Sequence, residues 1–263
     1  MAAGHGAGPL GWEDTSADAP GVRRLTNRRQ KVADLVAQEI VDDIVRRGLA
    51  PGTMLLPEKE MVAHFGVGRG TLREALHYLQ IQGVLTIKSG PGGGPMVASP
   101  GSNHLAGTIG LLLTMKRTPF RHVVETRMAV EPMLAGLAAK NASDDLLEAL
   151  ERSVTEQGRS AESDRFWPEN SHFHELIARG SGNDVFALVL TSLHRVIDGT
   201  AVGITYSKRR QDAIVRAHDD IARAIIDRDA GEATDAMSAH LRDWVVYLER
   251  HHAAALDAPV TWS

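Results

Sequence analysis

The sequence contains no cysteine, which excludes both a disulfide framework and a thiolate metal site. Its first residues, MAAGHGAGPLGWEDTSADAPG, include neither a basic leader nor the continuous apolar segment of a secretory signal. The longest apolar run, residues 109–115, is far shorter than the roughly 20 residues that cross a bilayer. These absences predict a cytoplasmic protein without a membrane partner.

An excess of one charge is also lacking, because the net charge is only −4 over 263 residues. The charges are nevertheless unevenly distributed. Residues 23–98 carry 11 basic and 7 acidic side chains, and residues 99–263 carry 18 and 23. A modestly basic block before an acidic one is typical of a DNA-binding head on an acidic body. Ordinary scatter of surface charge explains the same numbers, so composition leaves both interpretations open.

Composition and periodicity divide the chain into five segments. Residues 1–22 are rich in Gly, Ala and Pro and lack periodicity, which predicts a disordered tail. Residues 23–98 alternate helix and short strand patterns and are predicted to form a winged helix-turn-helix. Residues 99–102 are a linker by composition, residues 103–252 are helical throughout, and residues 253–263 are predicted to be a frayed tail. The predicted fold is mainly α, with an all-α C-terminal bundle of about six or seven helices.

Apolar spacing and turn residues also predict the individual elements. Two short strands are predicted at residues 85–87 and 95–97, around the glycine-rich segment KSGPGGG, and residues 53–55 suit a third. The predicted helices cover residues 27–47, 57–65, 68–82, 103–116, 119–140, 143–159, 165–180, 183–202, 205–229 and 231–252.

The segment GVGRGTLREAL, residues 66–76, combines three glycines with two arginines four residues apart. Glycine inside a helix costs about 1 kcal/mol relative to alanine. Three leucines on one stripe would anchor this helix and leave Arg69 and Arg73 on an outward flank. Small residues let a partner approach the helix N-terminus, which favours phosphate. The pattern predicts a DNA-recognition helix; a solvated surface helix with incidental arginines is the alternative.

Residues 38–97 resemble the winged helix-turn-helix head of the GntR family of bacterial transcription regulators. The family's Pro-Gly-Thr-x-Leu turn is present at residues 51–55, and its Gly-Val-Ser-Arg-x-Thr-Val-Arg-Glu-Ala-Leu segment at residues 66–76, with Gly68 in place of the usual Ser. The resemblance implies that double-stranded DNA is contacted by the recognition helix, by a phosphate-binding lysine and by the wing. The residues implied are Lys59, Arg69, Gly70, Thr71, Arg73, Lys88 and Gly90.

Three of the 12 histidines, His174, His218 and His240, lie on otherwise apolar helical faces. Asn170 precedes His174 by one turn and shares its face. Three imidazoles and an amide oxygen are suitable ligands for a divalent ion such as Zn, Ni or Mn. Satisfied core histidines explain the same pattern, so the residues alone leave both interpretations open.

Arg127 lies on an apolar stripe of its predicted helix, where a cation must be paired. One available partner is Glu131, one turn further on. The other is the carboxylate of a small organic acid, which a guanidinium binds through two parallel hydrogen bonds.

Residues 103–252 resemble the FadR-type ligand-binding domain, called FCD, of the same regulators. The marks of the resemblance are Arg127-x-x-x-Glu131, the pair Phe173-His174, Asn183, and the histidines at 218 and 240. It implies a metal on an Asp and three His, beneath a carboxylate effector that Arg127 contacts. Here Asn170 occupies the Asp position. A neutral amide is a weaker ligand and leaves the site one charge more positive.

The sequence as a whole predicts a homodimeric, ligand-responsive transcription regulator, most simply a repressor, that reads a short palindrome. Its operator affinity is expected to change when a small carboxylate binds in the helical domain. An enzyme is not predicted, since no His-Glu-x-x-His helix is present and the segment GPGGG lacks the Lys-Ser/Thr of a phosphate-binding loop. Two alternatives are a metal-dependent hydrolase, which would turn over substrate without DNA, and an architectural DNA binder, which would ignore ligands.

Overall fold

The computed structural model describes residues 22–90, 92–99, 101–196, 204 and 206–261. The chain forms two compact units, Met1–Ser99 and Pro100–Ser263, and the division between them falls within the predicted linker. Of the predicted disordered tail, only Val22 is among the described residues, and there it begins the first helix.

The described part of the N-terminal unit contains three helices followed by a two-stranded hairpin. Gly66 turns the chain between the second and third helices in the left-handed conformation, with φ 62°, which glycine adopts without steric cost. The predicted strand at residues 53–55 is instead a single bridge between Met54 and Met96. The elements are α1 (Val22–Arg46), α2 (Glu58–Phe65), α3 (Arg69–Ile81), β1 (Leu85–Lys88) and β2 (Gly94–Val97).

Apolar side chains from the three helices and β1 form the core of this unit. The stripe predicted for α3 is buried, and it packs with side chains from α1, α2 and the hairpin. The strands β1 and β2 pair antiparallel, so that Leu85 lies opposite Val97. This is a winged helix-turn-helix, as predicted. The principal core residues are Val36, Ile40, Met61, Leu72, Leu76, Leu79 and Leu85.

The C-terminal unit is helical throughout the part that the structure describes. Helix α5 packs along α10, and the two backbones approach closely at Gly136, where an added Cβ would lie 2.4 Å from Thr234 Oγ1. Helix α5 also contacts α7 and α9, while α4 packs against α8. The helices are α4 (Ser102–Met115), α5 (Phe120–Asn141), α6 (Asp144–Arg159), α7 (Phe166–Gly180), α8 (Asp184–Val196), α9 (Lys208–Ile226), α10 (Ala230–His251) and α11 (Ala253–Asp257). The prediction of a mainly α protein is confirmed.

Side-chain caps explain where two of these helices begin. The Ser207 hydroxyl accepts a hydrogen bond from Arg210 N, so α9 starts at Lys208 rather than at residue 205. Asp229 caps α10 in the same way. The predicted helix over residues 183–202 corresponds to α8, and its last part, residues 197–202, lies outside the described residues.

The described part of the predicted frayed tail, residues 253–261, is ordered into structure, which corrects that prediction. Residues 253–257 form α11, and Leu256 and Val260 are buried. Val260 N donates to Thr118 O at 2.9 Å, so that this segment is held against the beginning of α5. Two apolar side chains four residues apart provide the burial that a frayed end would lack.

Among the described residues, none of the helices combines the length and the apolar character needed to cross a membrane.

Candidate DNA-binding surface and metal centre

Helix α3 is anchored by its leucines and leaves its basic residues in solvent. It begins after Gly68, whose extended backbone (φ −71°, ψ 151°) provides no side-chain cap. Arg69, Gly70 and Arg73 are exposed, and Thr71 is half-buried. The N-terminal end of this helix is therefore open, and guanidinium groups stand beside it.

One of these arginines is paired within the N-terminal unit. Arg73 Nε donates to Glu58 Oε2 at 3.0 Å, while the Arg73 side chain remains 71% exposed. A surface pair of this kind contributes about 0–1 kcal/mol, so it orients the guanidinium without preventing it from meeting another acceptor. The neighbouring Lys59 is exposed on α2.

The wing carries the last two residues predicted to contact DNA. Lys88 ends β1 and Gly90 follows in the turn, and both are exposed. The turn is tight, because Gly90 has φ 95° and a Cβ on Gly93 would lie 2.2 Å from Lys88 O. The glycines thus allow a narrow turn at the end of the wing, next to the positively charged Lys88.

In the C-terminal unit, the three predicted histidines come together from three helices. His174 lies on α7, His218 on α9 and His240 on α10; all are buried, and one ring nitrogen of each lies within 4.8 Å of the others. The Nε2 atoms of His218 and His240 are 3.3 Å apart. His174 Nε2 is buried and has no hydrogen-bond partner among the described residues. Clustered imidazoles with a buried, unsatisfied nitrogen suit a divalent metal ion.

Two amide side chains extend this cluster toward α6. His218 Nδ1 lies 2.7 Å from Gln157 Oε1, and Gln157 Nε2 donates to Asn170 Oδ1 at 3.2 Å. Because a carbonyl oxygen only accepts, His218 carries its proton on Nδ1 and presents the lone pair of Nε2 to the cluster. The oxygen of Asn170, the predicted fourth ligand, is engaged by Gln157.

Arg127 is buried on α5 and forms an ion pair with Glu131. Its Nε donates to Glu131 Oε1 at 2.5 Å, and the guanidinium lies 4.6 Å above the ring of Trp244. The same carboxylate lies 3.1 Å from His194 Nε2 and 2.7 Å from His174 Nδ1. Arg127 is thus paired within α5, by Glu131 one turn along the helix, and the pair lies next to the histidine cluster.

Burial and neighbouring charge determine the ionisation of these groups. Burial favours a raised pKa for Glu131, but the positive charge of Arg127, together with the contacts from His174 and His194, outweighs it and holds the pKa well below its usual range. Burial lowers the pKa of His194 to about 4. Burial and the neighbouring imidazoles lower the pKa of His218 and of His240 well below the usual value. These three histidines are neutral near pH 7, which is the form that binds metals.

A small cavity of about 40 Å³ adjoins the cluster, room for a few water molecules. The polar groups of its wall come from Arg127, Asn170, Ser171, His174, His194 and His240. Its remaining wall is largely aromatic and aliphatic, from Phe120, Trp167, Ile204, Tyr206, Ile214 and Trp244. A few convergent polar groups within apolar walls are typical of a small-molecule site.

Sequence reasoning missed three residues at this site. His194 and Gln157 lie on predicted helices, but the residues that they contact are 63 and 61 positions away in the sequence. Tyr206 accepts a hydrogen bond from Trp244 Nε1 at 2.6 Å, and burial raises the pKa of Tyr206 to about 12. His194 could have been found from the sequence, because it follows Leu190 by four residues and so shares its helical face. The sequence contains no comparable signal for Gln157 or Tyr206.

Two family models match the chain, one in each compact unit. Residues 32–93 match the bacterial regulatory proteins of the gntR family. Residues 122–243 match the FCD domain, and this range contains Arg127, Asn170 and the three clustered histidines.

Named relatives and one solved structure agree with these matches. The HTH-type transcriptional repressor NanR of Klebsiella aerogenes is 28% identical over 228 residues, covering 84% of this chain and 86% of that protein. The protein of the same name from Cronobacter sakazakii is 29% identical over 238 residues, covering 87% and 90%. The structure of Streptococcus agalactiae GntR superposes with a TM-score of 0.69 at 25% identity, covering 82% of this chain and 99% of that one.

These relatives are transcription regulators, which confirms that the chain is not an enzyme. The chain belongs to the GntR family of bacterial transcription regulators, in the FadR-like group whose C-terminal part is an FCD domain.

Proposed function

We propose that this regulator is a repressor whose affinity for a palindromic operator changes when a small carboxylate binds in its C-terminal unit. The observation that carries the proposal is the buried set of three histidines beside Arg127, at the wall of a small cavity, in a chain that also has an open, arginine-bearing recognition helix. The relatives named as repressors support the negative sign of regulation.

The proposed DNA contacts come from α2, α3 and the wing. Arg69 and Arg73 bind guanine edges or phosphates from the exposed flank of α3. Gly70 and Thr71 allow the helix N-terminus to approach a phosphate. The flanking phosphate contacts come from Lys59 and from the wing at Lys88 and Gly90.

The proposed effector site uses the histidine cluster and Arg127 together. His174, His218 and His240 would hold a divalent ion (Zn, Ni or Mn), which would supply Lewis acidity toward an effector oxygen. Arg127 binds the effector carboxylate, as its position at the cavity wall allows. Asn170 accepts a hydrogen bond from Gln157, which in turn contacts His218, and its amide oxygen is a weaker metal ligand than a carboxylate. Because the cavity holds only a few waters, the effector must widen it, and this expansion gives binding a means of shifting the regulator's conformation.

The proposed dimer forms through the C-terminal unit. Helices α4 and α8 pack against each other, and both leave large apolar side chains exposed, which is typical of an association surface. A two-fold dimer would present two recognition helices to half-sites about one helical turn apart. The exposed side chains are Leu111, Leu112, Met115, Val185, Leu188 and Val189. If a Leu112→Glu variant stays dimeric in sedimentation, α4 is not part of the dimer surface.

The function is tested by selecting binding sites from a pool of random double-stranded DNA and measuring affinity by fluorescence anisotropy at fixed salt. The expected result is a palindromic site whose affinity changes when Zn²⁺ and one member of a panel of small carboxylates are added together. A selected site whose affinity ignores every carboxylate would favour an architectural DNA binder, and failure to enrich any sequence would contradict the proposal.

A further inference from the structure

Glu131 is contacted by three other polar groups although its carboxylate is almost completely buried. Its side chain is 1% exposed on α5. Oε1 accepts from Arg127 Nε and lies 3.1 Å from His194 Nε2, while Oε2 lies 2.7 Å from His174 Nδ1. A buried carboxylate is costly unless it is paired. Its position therefore requires an explanation beyond packing, and the histidine cluster offers one.

The contact with His174 determines which nitrogen of that ring is available to a metal. A metal-binding imidazole coordinates through one nitrogen, while the other donates its proton to an acceptor outside the ligand set. A carboxylate only accepts, so a donor at Nδ1 leaves the lone pair on His174 Nε2. That atom is buried and has no hydrogen-bond partner among the described residues. The Nδ1–Oε2 contact has hydrogen-bond length but not hydrogen-bond geometry, so either the ring or the carboxylate must turn to complete the bond.

The second histidine of the cluster has the same arrangement with a different acceptor. Gln157 Oε1 accepts from His218 Nδ1, which leaves His218 Nε2 directed at His240. Two rings from different helices thus have an oxygen 2.7 Å from Nδ1, and a proton on that nitrogen would leave Nε2 of both rings for a shared ligand. This agreement between two independent contacts is difficult to explain by packing alone.

We propose that Glu131 is a positioning residue of the metal centre, whose carboxylate fixes His174 with its proton on Nδ1 and supplies, from outside the ligand set, the negative charge that Asn170 lacks. This inference rests on the proposed metal site. Through its other oxygen the same carboxylate holds Arg127, so Glu131 links a metal ligand to the proposed effector-binding cation.

A different arrangement would make Glu131 a direct ligand together with His174 and His194, whose donor atoms also lie within 4.8 Å of one another. The positioning role accounts better for the contacts. Oε1 is already bound by the Arg127 guanidinium, whose positive charge would repel a metal ion at the same oxygen.

The first test reads the tautomer of His174 in the metal-free, full-length protein by ¹⁵N NMR of the imidazole rings. The expected result is a proton on Nδ1 of His174 and of His218. A proton on Nε2 of His174 would overturn the proposal. This measurement needs no metal, so it separates failure of the inference from failure of the proposed metal site, which would appear as a wild-type protein that binds no Zn²⁺.

The second test measures Zn²⁺ affinity by competition with a chromogenic chelator. Glu131→Gln is expected to weaken binding about 10–100-fold, the usual effect of removing an acceptor outside the ligand set. His194→Gln is the matched control, because it alters the other imidazole on the same carboxylate and should leave the affinity unchanged. If Glu131→Gln does not fold, the double variant Arg127→Met/Glu131→Gln removes both buried charges and should show the same loss of affinity. Unchanged affinity in the Glu131 variants would contradict the proposal, as would a His194→Gln variant that loses Zn²⁺ as completely as His174→Ala.

Discussion

Removing one member of the buried Arg127–Glu131 pair should destabilise the C-terminal unit more than removing both. The two side chains are only 8% and 1% exposed, so water cannot solvate a charge that is left alone. Breaking a buried ion pair at one partner costs about 3–5 kcal/mol, whereas replacing both partners by groups of similar shape is often close to neutral. We therefore expect Arg127→Met and Glu131→Gln each to lower the free energy of unfolding by about 3–5 kcal/mol, and the double variant to lose less than either.

The neighbouring histidine makes the cost of Arg127→Met depend on pH. Burial and then the charge of Arg127 lower the pKa of His194 to about 4. Without Arg127 the pKa of His194 rises, and the imidazole takes up a proton more readily beside Glu131. The loss of stability relative to wild type should therefore be smaller near about pH 5 than near about pH 7.5, because protonated His194 compensates the carboxylate there.

Urea unfolding in the presence of a chelator, followed by tryptophan fluorescence, measures these effects. None of the four tryptophans lies within residues 22–99, and Trp167 and Trp244 lie in the C-terminal unit, so the signal reports mainly on that unit. A double variant whose loss equals the sum of the single losses would refute the reasoning, because it would mean that neither charge depends on the other.

Three further predictions concern DNA binding, metal affinity and stability. Arg73→Ala should weaken binding to the selected operator by about 1–3 kcal/mol in anisotropy at fixed salt, while Arg152→Ala, an exposed arginine of the C-terminal unit, should have no effect; equal effects would remove Arg73 from the interface. Asn170→Asp should tighten Zn²⁺ binding in chelator competition, because it adds a charged ligand whose oxygen still accepts from Gln157; an unchanged affinity would mean that residue 170 does not reach the metal. The metal-free protein should lose stability as pH falls below about 6.5, because His194, His218 and His240 have pKa values below those of the unfolded chain, which binds more protons there; a urea midpoint that stays constant down to about pH 5 would contradict the neutral burial of these three histidines.

Local sequence signals were sufficient to predict the winged helix-turn-helix of the N-terminal unit. Gly66, the leucine stripe and the arginine flank of α3 lie within a few residues of one another, so periodicity and turn chemistry predict their arrangement. The hairpin was predicted for the same reason, since its strands flank one glycine-rich turn. The prediction of a third strand at residues 53–55 was wrong, because a single bridge at Met54 involves too few residues to give a periodic signal.

The C-terminal unit was only partly predictable. His218 and His240 stand out because each is a polar residue on an apolar helical face. His194 and Gln157 become important only when α8 and α6 pack against the helices that carry Glu131 and His218, and a pattern along one helix does not contain that information. The C-terminal residues were misjudged because Leu256 and Val260 find their burial against distant parts of the chain.

The most direct test of the account is the metal content of full-length protein purified without chelator or a histidine tag, measured by elemental analysis. The predicted result is about one divalent ion per chain, absent from His174→Ala and retained in His172→Ala, because His172 is exposed and lies outside the cluster. Metal-free wild-type protein, even after exposure to Zn²⁺, Ni²⁺ and Mn²⁺, would contradict the proposed centre and leave Arg127 as the effector-binding group without a metal.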